Sequence, residues 1–346
     1  MIDLCYADFA WEQTAALLAV DSPSGYTEKA ALWVKKAFEN LGFSARITTK
    51  GGVIADLGGE DSADGLLLEA HADTLGAMVA TVKGNGRLKL TSLGGMNPNN
   101  AEAENVRVYT REGKVLEGTC QLCNASVHVN GSYGDTKRGW DTVEVVLDED
   151  VSSAEDVRKL GIEVGDIVCF DPRTRRTESG YLKSRFLDDK LSVGILLGFT
   201  KYLADQKITL SRRTYVHLTV YEEVGHGCSG SVPAGVTEVI SVDMGCVGDG
   251  LQCTEKQVSI CAKDSAGPYN YEVVGKLIDA AKKTDADYAV DVYPHYGSDV
   301  EATLNAGFDI RHGLIGPGVY ASHGYERSHM EGVYNTLKVL CGYLNV

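Results

Sequence analysis

The sequence predicts an α/β fold in three layers, with helices on both faces of a sheet, and a small β-rich domain inserted into it. Three observations carry this. Short apolar runs such as Leu66–Ala70, Tyr215–Tyr221 and Val239–Val242 have strand length and little polar alternation, as strands buried in a parallel sheet do. Segments with helical spacing of apolar residues alternate with them. Between Leu75 and Val164 helical periodicity is nearly absent, and short β-like runs recur between Gly-, Asn- and Asp-rich turns. The expected division is residues 1–74 and 165–346 for the α/β domain and 75–164 for the insertion.

Taken in order, Phe9–Val20 has helical apolar spacing, and the DSPSG run at Asp21–Gly25 breaks it. Thr27 is placed to cap a second helix that runs through Leu41 and stops at Gly42. Ala45–Thr49 and Val53–Leu57 read as strands joined by Lys50-Gly51-Gly52, and Asp61–Gly65 turns the chain into the Leu66–Ala70 strand. In the insertion, strands are expected at Met78–Val82, Leu88–Leu93, Val106–Thr110, Lys114–Gln121, Ser126–Val129 and Thr142–Leu147, with a helix over Ser153–Leu160. The α/β pattern is expected to resume at Asp166–Phe170. An apolar helix follows at Leu191–Leu203, a strand at Tyr215–Tyr221, another at Val239–Val242, and helices at Tyr271–Lys283 and Met330–Leu344.

Composition bounds the partners. The chain has 346 residues and a net charge of −15, which disfavours nucleic acid and anionic membrane surfaces. No apolar run approaches a membrane span, and no basic segment with an apolar run opens the chain. Nine cysteines scattered among apolar neighbours suit reduced core thiols in a cytoplasmic protein. Cys120 and Cys123 form the one CxxC, which without a second pair is a weak zinc signal.

Candidate chemistry gathers where strands end. The Leu66–Ala70 run closes on His71-Ala72-Asp73, the Tyr215–Tyr221 run on Glu222-Glu223, and the Val239–Val242 run on Asp243. Asp188 and Asp189 open the apolar helix, and His323 and His329 stand in a late loop. Ligands of open α/β sheets collect at the carboxyl ends of strands. Singly, each residue is also what a solvated strand end or a helix cap provides. Jointly, imidazoles and carboxylates form the mixed donor set that paired zinc-type ions require. Two histidines and three carboxylates, one of them shared, hold ions about 3.5–4 Å apart in hydrolytic two-metal sites. Adjacent residues of a strand face opposite ways, so Glu222 and Glu223 are expected to do different work, with Glu222 left as general base.

GLLLEAHADTLG, KSRFLDDKLSVG, YEEVGHG, VDMG, the Gly297-Ser298-Asp299 turn and ASHGYERSH occur in the order found in the glutamyl or tetrahedral aminopeptidases, metallopeptidase family 42 of the zinc-dependent aminopeptidase clan. The sequence resembles that family over nearly its whole length. The resemblance implies a zinc-peptidase-like catalytic domain. It implies that His71 and Asp243 bind one metal ion and Glu223 and His323 the other, with Asp188 bridging both, Glu222 as base and Asp73 orienting His71. It further implies two divalent ions per subunit, zinc first and cobalt or manganese as alternatives, and short peptides as substrates. The insertion is then a dimerisation domain, and dimers build a twelve-subunit tetrahedron. Three segments depart from the pattern. Val319–Gly324 lacks the Arg-Tyr-x-His-Ser form before the last ligand, which keeps His329 as a rival to His323. Lys190 stands where arginine is more familiar, and His226 follows the Glu-Glu pair unusually closely. His226 is expected to pack locally, and His128, His217, His295 and His312 to be structural. A related two-metal deacylase or carboxypeptidase would use the same ligands, and a non-catalytic metal-binding assembly protein would lack the base.

Overall fold

The structure, a computed structural model, describes residues 2–346. It divides into two compact units, one made of the chain up to Asp73 with Arg173–Val346 and the other of Thr74–Pro172.

The first unit opens with helices α1 (Cys5–Leu18) and α2 (Glu28–Asn40) and strands β1 (Ser44–Ile47), β2 (Val53–Gly58) and β3 (Asp61–His71). The second unit contains β4 (Gly76–Val82), β5 (Leu88–Leu93), α3 (Pro98–Ala101), β6 (Glu104–Tyr109), β7 (Val115–Leu122), β8 (Val143–Leu147), α4 (Ala154–Leu160) and β9 (Ile167–Phe170). The chain then returns to the first unit through β10 (Arg175–Arg176), β11 (Tyr181–Ser184), α5 (Leu187–Gln206), β12 (Arg212–Thr219), β13 (Val236–Val242), β14 (Gly245–Val247) and β15 (Val258–Lys263). It ends with α6 (Tyr271–Lys283), β16 (Tyr288–Val292), α7 (Asp299–Asn305), β17 (Arg311–Tyr320), β18 (Glu326–His329) and α8 (Met330–Leu344).

The strands of the first unit form one 12-stranded sheet with the central order β2-β12-β3-β13-β17. Its middle is parallel: β12 and β13 flank β3, and β17 flanks β13. Leu66, Leu67 and Leu68 of β3 are fully buried, which is why this run lacks polar alternation. On one face, Val300 and Leu304 of α7 pack with Leu67 and Val239. Helix α5 is buried on every side from Leu187 to Thr200, as a helix apolar all round must be. It lies so close to α1 that a side chain at Gly194 would strike Thr14 and the Ala10 carbonyl. The expected α/β architecture is the observed one.

In the second unit six strands close a barrel in the order β4-β5-β8-β7-β6-β9. Closure removes sheet edges that a small β unit would otherwise expose. Two expectations need correction here. Ser126–Val129 is a turn rather than a strand, and Val127 and Val129 are exposed. The run at Asp166–Phe170 does not resume the α/β sheet: β9 pairs antiparallel with β4 and β6 and completes the barrel. The unit therefore ends at Pro172, not Val164. A four-residue apolar strand reads the same in either sheet, and only its partners decide.

Two boundaries also differ in the first unit. Helix α1 begins at Cys5, and β3 begins at Asp61, where a turn was expected, because its polar start pairs with Arg212.

Candidate active site and metal centre

The candidate residues lie at carboxyl ends of the parallel strands and in the turns that follow. His71 ends β3, Asp243 follows β13, Asp188 is in the first turn of α5, and His323 lies between β17 and β18. Strand β12 stops at Thr219, before the expected Tyr221, and Glu222–Val224 forms a 3-10 turn. The two glutamates diverge because consecutive residues of such a turn are about 120° apart, three to a turn, rather than through strand alternation. Tyr221 enters this turn with φ 73°, Phe186 precedes α5 with φ 67°, and His323 itself has φ 61°. Each conformation is unfavourable for a side-chain-bearing residue, and here each aims a carboxylate or an imidazole into one cleft.

His71 Nδ1 donates to the Asp73 main-chain carbonyl at 2.9 Å, and Nε2, the ring nitrogen turned to the cleft, lies 3.1 Å from Asp188 Oδ1. The other Asp188 oxygen lies 3.5 Å from His323 Nε2, and that nitrogen lies 3.6 Å from Glu223 Oε2. Potential ligand atoms of His71, Asp188 and Asp243 lie within 4.8 Å of one another, as do those of Asp188, Glu223 and His323. The two sets meet at Asp188. Glu222 is in neither, with its Oε2 3.7 Å from His71 Nε2.

The charge of this cluster is unbalanced. Burial pushes the carboxyls of Glu222, Glu223 and Asp189 well above the usual range, and neighbouring carboxylates push further. Burial and the Asp188 charge raise Asp243 to about 7. Burial would raise Asp188 too, but His323 and His71 more than reverse it. The hydrogen bond to Asp188 lifts His323 to about 10. Glu223 Oε1 and Asp189 Oδ1 are buried without a hydrogen-bond partner. Crowded carboxylates with neutral-capable imidazoles and an orphaned oxygen are what divalent cations neutralise and satisfy, so the donor set fits two such ions.

The cluster opens into a cleft of about 630 Å³ lined by Glu222, Glu223, Met244, Cys246, Tyr296 and Glu301 among others. That size accommodates a small molecule or the end of a peptide.

Asp73 meets His71 through its main chain rather than its carboxylate. Its carbonyl receives the His71 hydrogen bond, while its carboxylate, 3.6 Å from Nδ1, accepts from Ser24 Oγ at 2.5 Å and from the Glu222 backbone N–H at 3.1 Å. His329 stands apart from both sets: it caps α8, accepting from Glu331 N–H at 3.0 Å while its Nε2 lies 2.8 Å from Ser179 O. His226 stacks on Tyr221, and His295 lines the cleft. Cys120 is buried in β7, and Cys123 lies near Lys83 Nζ. Sequence reasoning missed Glu326, which accepts from Asp188 N–H at 3.0 Å and His323 N–H at 2.9 Å. The available signal was a glutamate heading the short strand just after His323, where burial was to be expected.

A profile of the M42 glutamyl aminopeptidase family matches residues 51–339. YhfE of Bacillus subtilis (strain 168), which carries a provisional aminopeptidase name, is 41% identical over 328 residues, or 95% of each chain. Among solved structures, aminopeptidase APDkam598 from Desulfurococcus kamchatkensis superposes with a TM-score of 0.87 at 20% identity, covering 98% of this chain and 95% of its own. The Pyrococcus horikoshii TET1 peptidase, described as assembling into a tetrahedron or a large octahedral shell, gives 0.85 at 20% identity over 97% and 99%. The profile match and the close relative lead to one conclusion: the chain belongs to the M42 glutamyl aminopeptidase family and is a peptidase.

Proposed function

We propose that this peptidase is a two-metal aminopeptidase that removes N-terminal residues from short peptides. The observation that carries the reading is two ligand-ready sets meeting at Asp188, with Glu222 beside them and in neither. His71 and Asp243 would hold one divalent ion, Glu223 and His323 the other, and Asp188 both. Zinc suits these nitrogen and oxygen donors, with cobalt or manganese as substitutes. When bound, the ions supply Lewis acidity toward water and toward the scissile carbonyl.

The chain's own residues do the rest. Glu222 takes the proton of the attacking water and returns it to the departing amine nitrogen as the C–N bond breaks. Burial raises its carboxyl pKa, His71 pulls it back, and Asp299, Asp243 and Glu223 raise it again; two bound cations would offset that rise and leave the carboxylate free to accept a proton. The Asp73 carboxylate fixes the Glu222 backbone, and its carbonyl fixes the His71 ring. Glu301 lines the same cleft, where the amino terminus of a bound peptide would lie.

The inserted barrel is assigned to pairing of subunits, and dimers then build a closed assembly of twelve chains. The dodecamer described for PhTET1-12s and the tetrahedron or octahedral shell described for the Pyrococcus horikoshii TET1 peptidase support that reading. Nine free cysteines fit a cytoplasmic location, and no described helix is long and apolar enough to cross a membrane. Neither nucleic acid nor a membrane is a partner in this reading.

Paired peptides with free and acetylated amino termini test it. Cleavage restricted to the free-amine peptides, lost in excess chelator and restored by zinc, is expected. Equal cleavage of blocked peptides would favour the deacylase or carboxypeptidase reading. Light scattering of the active protein should give a mass near twelve chains, and an active monomer would end the assembly reading.

A further inference from the structure

A third cluster of ligand-type side chains lies outside the cleft. Glu69 is on β3, two residues before His71 and therefore on the same face of the strand. His217 is its register partner on β12, and Cys228 comes from the loop after the Glu222–Val224 turn. All three are buried, at 0%, 2% and 0% exposure. Cys228 Sγ contacts Glu69 Oε1 and lies 3.4 Å from His217 Nδ1, and that nitrogen is 4.0 Å from Glu69 Oε1. None of the three belongs to the two sets that share Asp188.

Two features separate this cluster from an ordinary buried hydrogen-bond group. Glu69 Oε2 is buried without a partner, a costly arrangement unless something outside the protein supplies one. The donors are also of three kinds: sulfur, imidazole nitrogen and carboxylate oxygen. Zinc–ligand bonds of about 2.0–2.3 Å in a tetrahedron place neighbouring donors roughly 3.4–3.6 Å apart, close to the Sγ–Nδ1 separation. A thiolate and a carboxylate carry two negative charges, which one divalent cation neutralises in this dry interior.

From this juxtaposition we propose that Glu69, His217 and Cys228 form a third metal site, which takes a thiolate-preferring divalent ion of the zinc type. Both Glu69 oxygens turn to the ion and, joined at one carbon, take a single corner of its shell, so the protein supplies three corners of the tetrahedron. Binding replaces the thiol proton of Cys228, and any proton on Glu69, and those protons leave to solvent. The site is structural. It joins β3 to β12 one step below His71 and Thr219, and it anchors the loop at Cys228. That loop is already held by Asp299 Oδ1, which accepts from Cys228 N–H at 2.9 Å, and by Lys50 Nζ, which donates to the Gly227 carbonyl at 2.9 Å. A site this enclosed fills as the sheet forms, so the ion must be present during synthesis.

The test uses full-length protein produced in medium where cobalt is the added divalent transition ion. The two sets at Asp188 contain no sulfur, so a thiolate-to-cobalt charge-transfer band in the near ultraviolet reports on this site alone. Wild type should show the band and three cobalt ions per chain. Cys228→Ser should lose the band and one ion while keeping the other two. Cys246→Ser, which alters the thiol lining the cleft, should keep the band. A wild type with no band, or a band that survives Cys228→Ser, overturns the proposal. If Cys228→Ser does not fold, X-ray absorption at the cobalt edge of Cys246→Ser decides: a sulfur ligand supports the site, and its absence overturns it. Neither readout depends on peptidase activity.

Discussion

The strands β3, β12, β13 and β17 carry charge at both ends, and the two ends are balanced in opposite ways. At their starts, Glu238 accepts from Arg212 at 2.7 Å, from Tyr343 OH at 2.7 Å and from Arg311 at 3.1 Å. Arg311 also reaches Asp64 at 2.9 Å. Burial alone would raise the Glu238 carboxyl, but these partners hold it below its ordinary value. At the other ends, carboxylates outnumber cations, the Glu222 and Glu223 pKa values are pushed up, and two buried oxygens have no partner. The same sheet thus has one end whose charge closes within the chain and one whose charge is left to be closed from solution. Balance within the chain marks structure, and imbalance that the fold tolerates marks a site.

The largest effect that would sharpen this contrast belongs to the pair Glu222 and Glu223. Glu222→Gln should keep both ions and lower turnover by about 10²-fold or more, the scale of lost acid–base catalysis. Glu223→Gln should instead weaken one metal site. Normal turnover by Glu222→Gln would remove it as the base. An intermediate effect separates the two late histidines. Metal analysis of His323→Ala should show one of the two ions depleted, whereas His329→Ala should keep both and lose the α8 cap and the contact with Ser179. The reverse result would move the ligand to His329. The smallest effect lies at the balanced end. Arg212→Ala should cost about 1.5–3 kcal/mol in denaturant unfolding, the range for hydrogen bonds to a charged group, with turnover unchanged. Because the folded pKa of Glu238 is depressed, its contribution is present above its ordinary value of 4.5 and disappears as pH falls through the folded value. Glu238→Gln should therefore flatten the acid side of the stability profile. An unchanged acid side would mean that the cluster's charges do not stabilise the fold.

Much of this was legible in the sequence because buried strands announce themselves by apolar runs and their ends by abrupt polarity. Leu66–Ala70 followed by His71, and Val239–Val242 followed by Asp243, are both visible that way. What was hidden depended on partners distant in sequence. The run at Ile167–Phe170 has the composition of either sheet, and only pairing with β4 and β6 assigns it to the barrel. His217 looked structural because register, not spacing, makes it a neighbour of Glu69. The strand was read through Tyr221, and its alternation carried on to Glu222 and Glu223, because the left-handed backbone of Tyr221 has no signature in a tyrosine.

Glu326 holds the backbone of Asp188 with one oxygen and that of His323 with the other. Through these two backbone bonds it sets the separation of the residue shared by both sets from the one that completes the second. Supporting partners of metal ligands commonly govern affinity by 10–100-fold. In evolutionary terms this makes position 326 a linkage between two otherwise separate segments of the chain. Drift in the α5 entry or in the β17–β18 turn can be accepted only if the geometry at Glu326 is preserved. The freedom of either segment to vary is therefore limited by a residue that neither segment contains.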